Sequence, residues 1–166
     1  MICTVSLVTA CFFCSSLEAA AAPRAQETGE RVTIVIDPGH GGENEGTLEG
    51  IVQEKKMTMV TAMAMYEELL KYDNVDVYLT HTEDVNLSLA DRAQFAEERN
   101  ADFLFSIHYN ASVDHDLFGS EVWISSVQPY NAYGYQFGWE QMQQMKDMGL
   151  FLRGVKTKLK NSGDDY

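Results

Sequence analysis

The sequence predicts an α/β fold in which a twisted, largely parallel sheet is covered by helices on both faces. Two observations carry this. Apolar runs of strand length alternate with stretches of helical periodicity, the pattern of βαβ units. The residues with most chemistry to offer fall just after the first and third of those runs, where the carboxyl ends of strands in such a sheet form sites. A chain of 166 residues with 45% hydrophobic residues fits one domain with a real core.

The elements follow in order. Residues 1–22 (MICTVSLVTACFFCSSLEAAAA) combine an apolar run with small residues and are expected to be a signal peptide cleaved near Ala22. A buried N-terminal helix is the alternative, and Val8-Thr9-Ala10-Cys11 resembles a lipobox, which would make the protein a lipoprotein. The run is too short for a comfortable transmembrane helix, which needs about 20 apolar residues, so no stable transmembrane segment is expected. All three cysteines lie in this stretch, which leaves a cleaved protein without disulfide or thiol nucleophile. Residues 23–30 read as a linker, and the folded domain is expected to span 31–166.

Arg31–Ile36 (RVTIVI) is a buried strand stopped by Asp37-Pro38-Gly39. From Glu54 to Lys71, Met57, Val60, Met63 and Leu70 recur at helical spacing, with Glu67 four residues before Lys71 for a stabilising pair. Val75–Leu79 is a second strand, and Ser88 with Asp91 forms a capping box opening a helix that runs to about Arg99. Asp102–Ile107 and the residues after Gly119 are further strands. Residues 130–159 are Met-, Gln- and Tyr-rich, with Gly134, Gly138 and Gly149 interrupting what is otherwise helix.

A net charge of −13, from 12 basic and 25 acidic side chains, argues against a nucleic-acid partner, because phosphate recognition needs a basic face. It would also repel anionic polymers unless a bound cation reverses the field locally.

His40 lies in Asp37-Pro38-Gly39-His40-Gly41-Gly42, where the glycines let the chain turn sharply after the first strand. His108 follows the third strand, and Glu54 opens the first helix. Two histidines and a carboxylate with an open fourth position are a common catalytic zinc set. The spacing is long and no compact motif accompanies it, so ordinary turn and core histidines are the alternative.

The segments VTIVIDPGHGG, LSLADRAQFAEERNADFLFSIHYNAS and GSEVWIS, with a Glu opening the intervening helix, resemble the zinc-dependent N-acetylmuramoyl-L-alanine amidases of the family-3 type across Val32 to Ser125. The resemblance implies that fold, a Zn2+ ion on His40, Glu54 and His108, and hydrolysis of the amide between N-acetylmuramic acid and L-alanine. Peptidoglycan is then the partner and a secreted or cell-envelope location the expectation. The family's general-base glutamate lies on a late strand in a segment resembling PxVLVExGF, which is not found up to Tyr166. The resemblance therefore implies a catalytic domain incomplete at its C-terminus and nearly inactive alone; a peptidoglycan-binding module that does not cut is the alternative. RGVKTKLKNSGDDY resembles the family's helix and loop before that segment.

Other residues take supporting roles. Asp37 either bonds His40 and fixes its tautomer or simply forms the turn. Asn110 is expected to bond substrate, with a bond to its own loop the alternative. Glu121 is a weak candidate for a substitute base, with a structural role the better reading, and Glu140 is expected to be solvated. Arg92 is expected in a structural salt bridge, and His81 and His115 at the surface. Asp114 and Asp116 beside His115 are not expected to bind a second metal.

Overall fold

The computed structural model describes residues 6–12, 31–49, 51–112, 118–126 and 130–157. These fall into two compact units, residues 12–107 and residues 1–11 with 108–166. The linker, most of the expected leader, His115 with its flanking aspartates and the last nine residues of the sequence lie outside the described residues.

In the first unit, β2 (Val32–Pro38) lies between β5 (Val75–Leu79) and β6 (Phe103–Asn110), and both pairings are parallel. The register sets Ile36 against Phe105 and Val35 against Leu104. Successive strand residues face opposite sides of a sheet, and all four of these side chains are buried, so both faces are covered. Helix α2 (Leu89–Glu98) closes the Val35 and Leu104 face with Phe95 and Ala96. It begins at the expected capping box, in which Ser88 and Asp91 satisfy each other's backbone N–H groups.

Helix α1 (Glu54–Leu69) lies against β2 and β5 and buries Thr58 and Ala62. Two two-residue strands, β3 (Leu48–Glu49) and β4 (Val52–Gln53), form a small antiparallel ladder before it. Lys71 pairs with Glu68 rather than with Glu67. The helix ends at Leu69, so Lys71 stands beyond the regular turn that a four-residue pair needs.

In the second unit, β7 (Ser120–Ile124) runs parallel to β8 (Leu152–Thr157) and to β1 (Ser6–Phe12). Strand β1 falls inside the stretch expected to be a leader. Strand β8 corrects the expectation of helix and loop for the RGVKT segment: Val155 and Leu152 pack on a cluster of Val122, Ile124, Met142 and Met145, which rewards an extended chain beside β7. Helix α3 (Tyr130–Asp147) is continuous through Gly134 and Gly138. A Cβ at Gly138 would lie 3.1 Å from Val122 and 3.2 Å from Val155, and one at Gly134 would lie 3.2 Å from Ile124. The two glycines are where α3 approaches the strands most closely, not interruptions of the helix.

Candidate metal centre

Strand β2 ends at Pro38, and the chain then turns through Gly39–Gly42 with His40 at φ 68, Gly41 at φ 130 and Gly42 at φ 57. Positive φ is costly for a residue with a Cβ, so His40 is held there by its surroundings. Gly41 has no substitute: a Cβ would sit 2.1 Å from the Val85 carbonyl oxygen.

This turn points His40 at Glu54, the first residue of α1, whose carboxylate is 5% exposed. His40 Nε2 lies 3.1 Å from Glu54 Oε1, and the other carboxylate oxygen accepts the Thr47 N–H at 2.7 Å. His40 Nδ1 lies 3.0 Å from Asn44 Oδ1, an oxygen that also accepts the Gly46 N–H. Since an oxygen accepts from both, Nδ1 carries a hydrogen and Nε2 is the nitrogen aimed at a ligand. The neighbouring Glu54 carboxylate holds the imidazole above its ordinary pKa of 6.5, against the opposing effects of burial and Arg92.

His108 lies within β6, which runs on to Asn110 instead of ending at Ile107 as the sequence predicts, and it directly follows Ile107, the residue paired with Pro38 of β2. One ligand atom from each of His40, Glu54 and His108 lies within 4.8 Å of the other two. Tetrahedral zinc with bonds of about 2.0–2.2 Å sets its donors about 3.4 Å apart. The His40 and Glu54 atoms already stand at such a separation, and the His108 donor lies within 4.8 Å of both. Two imidazole nitrogens and a carboxylate oxygen, one of them buried, fit a zinc ion with an open position.

Asp37 does not serve His40's ring. It follows Val35 on the α2 side of the sheet, where its carboxylate accepts from Thr80 Oγ1 and Ser106 Oγ, both at 2.7 Å, and from Arg92 Nη1 at 2.5 Å. Arg92, 6% exposed, makes the expected ion pair and also donates to the Pro38 and His40 carbonyl oxygens at 2.8 and 2.9 Å. Asp37 thus supports the backbone of the turn through Arg92. His81 is half-buried rather than a surface residue: its ring nitrogens lie 3.0 Å from the Pro38 oxygen and 2.9 Å from the Glu83 oxygen. Sequence reasoning missed Asn44, Thr47 and Gly46, which carry no periodic or motif signal of their own.

Asn110 donates through Nδ2 to Glu121 Oε1 at 2.7 Å. Glu121 is 3% exposed, accepts from Trp123 Nε1, and pairs with Lys156 and Arg153. Burial pushes its pKa up, but the hydrogen bonds from Lys156 and Trp123 and the charges of Lys156 and Arg153 outweigh this and hold it below the ordinary 4.5. A carboxylate so stabilised as an anion is a poor proton carrier at neutral pH. Glu140 is exposed on α3.

A depressed folded-state pKa contributes stability that is present above the unfolded value and lost as pH falls through the folded one. Wild type should therefore exceed Glu121→Gln at pH 7 by about 1.5–3 kcal/mol, the range for hydrogen bonds to a charged group. Urea midpoints should show that gap closing below pH 4.5; a gap independent of pH would mean that the anion is not what matters.

The profile of the family described as N-acetylmuramoyl-L-alanine amidase matches residues 34–159. The chain is 46% identical over 81 residues to the N-acetylmuramoyl-L-alanine amidase CwlM of Bacillus licheniformis, covering 48% of this chain and 32% of that protein. It is 31% identical over 136 residues to the N-acetylmuramoyl-L-alanine amidase AmiC of Escherichia coli O6:H1, covering 81% and 31%. It thus spans about a third of the length of these relatives. The crystal structure of an N-acetylmuramoyl-L-alanine amidase from Clostridium difficile 630 superposes with a TM-score of 0.69 at 28% identity, covering 76% of this chain and 69% of that one. With a parallel α/β sheet, a histidine and carboxylate cluster near the carboxyl ends of β2 and β6, and a family match over most of its length, the chain belongs to the N-acetylmuramoyl-L-alanine amidase family.

Proposed function

We propose that the protein takes part in zinc-dependent hydrolysis of the amide between N-acetylmuramic acid and L-alanine in peptidoglycan. The observation that carries this reading is the convergence of His40, Glu54 and His108, in a chain of this family. Zinc bound there supplies Lewis-acid polarisation of an amide carbonyl and acidification of water.

The chain's own residues do the rest. Asn44 and Thr47 hold two of the ligands in place through His40 Nδ1 and Glu54 Oε2. Asn110 stands two residues after His108 on β6, hence on the same side of the strand, with its amide nitrogen fixed by Glu121. It is assigned to hydrogen-bond the substrate beside the scissile amide. Glu121 anchors Asn110 and does not carry the proton. The reading assigns proton shuttling to none of these 166 residues, among which no segment resembles PxVLVExGF. The chain by itself is then expected to be slower by the ~10²- to 10⁴-fold that positioned proton transfer contributes.

Peptidoglycan lies outside the cytoplasm, so the reading includes export, for which residues 1–22 have a leader's composition. Among the described residues no helix is long and apolar enough to cross a membrane.

Elemental analysis of the purified full chain and of His108→Ala tests the reading. Near-stoichiometric zinc that falls at least tenfold in the variant is the expected result. Folded wild type without zinc would overturn it and leave binding to peptidoglycan without cleavage, which a sacculus pull-down would then reveal.

A further inference from the structure

Every backbone carbonyl from Pro38 to Gly42 has a partner. The Pro38 oxygen takes Arg92 and His81, the Gly39 oxygen takes Thr58 Oγ1 at 2.7 Å, and the His40 oxygen takes Arg92. Gly41 exchanges both of its backbone bonds with Asn44. The Gly42 oxygen takes Lys55 Nζ at 2.6 Å. The partners of residues 38–41 come from the interior, from the turn itself or, for the Pro38 oxygen, from His81 in the loop after β5. Gly42 has its outer side closed by a surface segment.

That segment is the loop after β5. Asp84 Oδ1 accepts the Gly42 N–H at 2.6 Å, and Asp84 Oδ2 accepts from Lys55 Nζ at 2.7 Å. Lys55 therefore bridges the Gly42 oxygen and Asp84, and the three groups close a ring of hydrogen bonds around the end of the turn. The backbone packs as tightly: a Cβ on Gly42 would lie 3.0 Å from the Asn86 nitrogen. The Lys55 side chain is 11% exposed and that of Asp84 62%, so the ring has one inner and one outer member. Lys55 is also the residue after Glu54 on α1, so the ring ties the turn carrying one cluster residue to the helix carrying another.

We propose that Asp84 and Lys55 form a latch that holds the strained His40 turn in its ligand-binding conformation and so sets the affinity of the centre for zinc. The proposal rests on the zinc reading of that centre. Asp84 is a positioning residue: it touches neither the metal ligands nor a substrate, and acts through Gly42. A pair whose anion is 62% exposed is screened by water and contributes little to global stability. Its loss is therefore felt in the geometry of a turn that would otherwise relax from positive φ, not in the unfolding equilibrium. Groups bonded directly to a ligand are worth about 10- to 100-fold in metal affinity when removed, and a support that acts through the backbone of the His40 turn is expected within that range.

The test uses the full chain as wild type, Asp84→Ala and Asp84→Asn. Zinc dissociation constants are measured against a competing chelator, urea midpoints on the zinc-free proteins, and Gly42 amide hydrogen exchange by NMR without metal. Asp84→Ala should bind zinc about 10- to 100-fold more weakly, with an almost unchanged zinc-free midpoint and a Gly42 amide that loses its protection. Asp84→Asn keeps an acceptor for the Gly42 N–H and should recover both protection and most of the affinity. Equal affinities in wild type and Asp84→Ala would overturn the proposal, as would an affinity loss matched by an equivalent loss of zinc-free stability. If wild type bound no zinc, the metal reading would fail by itself; unchanged Gly42 exchange in Asp84→Ala would then also sink the latch, and lost protection would uphold it as a clamp on the turn.

Discussion

Arg92→Met should destabilise the protein by about 3–5 kcal/mol, the cost of removing one partner from a buried ion pair. The side-chain atoms involved are almost wholly enclosed: Arg92 is 6% and Asp37 2% exposed. Methionine restores much of the volume but leaves the Asp37 carboxylate with only its bonds to Thr80 and Ser106. It also strips donors from the Pro38 and His40 carbonyl oxygens. Folded domains are stable by only about 5–15 kcal/mol in total, so this change consumes a large part of the margin. Urea unfolding monitored by circular dichroism is the measurement, with the slope of the transition expected to stay constant. Arg92→Lys should recover part of the loss, since an ammonium can meet Asp37 but cannot also reach the Pro38, His40 and Leu87 oxygens as the planar guanidinium does. A cost below about 1 kcal/mol for Arg92→Met, the worth of an exposed pair, would show that the carboxylate finds water instead.

That same pair shows where sequence reading succeeds and fails. The salt bridge of Arg92 was legible, because an arginine inside a capped amphipathic helix needs an anionic partner when the helix packs. The partner's task was not. The sequence allows Asp37 to be either a tautomer anchor for His40 or a turn former, yet period-two alternation carries it to the Val35 side, beneath α2 and away from the histidine ring. Strands β2, β5 and β6 and helices α1 and α2 followed from apolar periodicity and a capping box, because these are local signals that burial reinforces. The β8 strand did not. Its pattern in Leu152–Thr157 is short, interrupted by Arg153, Gly154 and Lys156, and made extended by partners 32 or 33 residues away on β7.

For the site, the three cluster residues could be named because a glycine-rich turn, a helix start and a strand end are each visible along the chain. Their supports could not, because Asn44, Thr47, Lys55 and Asp84 act through backbone groups, and backbone partnerships leave no residue pattern. Gly134 and Gly138 make the same point from the other side: glycine in a helix reads as a break, whereas here it is what lets α3 lie against Val122 and Val155.

Gly46 is the position where a single methyl group should do most harm to the centre. It has φ 69, a left-handed conformation that costs a residue with a Cβ roughly 1–2 kcal/mol. The added Cβ would also lie 2.6 Å from Glu54 Oε2, 2.6 Å from His40 Cδ2 and 2.8 Å from Glu54 Cβ. Neither neighbour can yield freely. Glu54 is pinned by the Thr47 N–H and sits in the first turn of α1, while His40 is tethered through Nδ1 to Asn44. To make room, the imidazole and the carboxylate must part, and two donors 3.1 Å apart lose the separation a zinc ion requires. Gly46→Ala should therefore weaken zinc binding by about 100-fold, the upper end of what disturbing a ligand's support costs. Its fold should survive, because the clash lies in a loop and not among Ile36, Phe105 and their neighbours. Competition titration with a chelator measures the affinity, and the zinc-free urea midpoint checks the fold. A full complement of tightly held zinc in Gly46→Ala would mean that the turn reorganises on metal binding, and that the 3.1 Å approach of His40 to Glu54 is not the geometry that holds the ion.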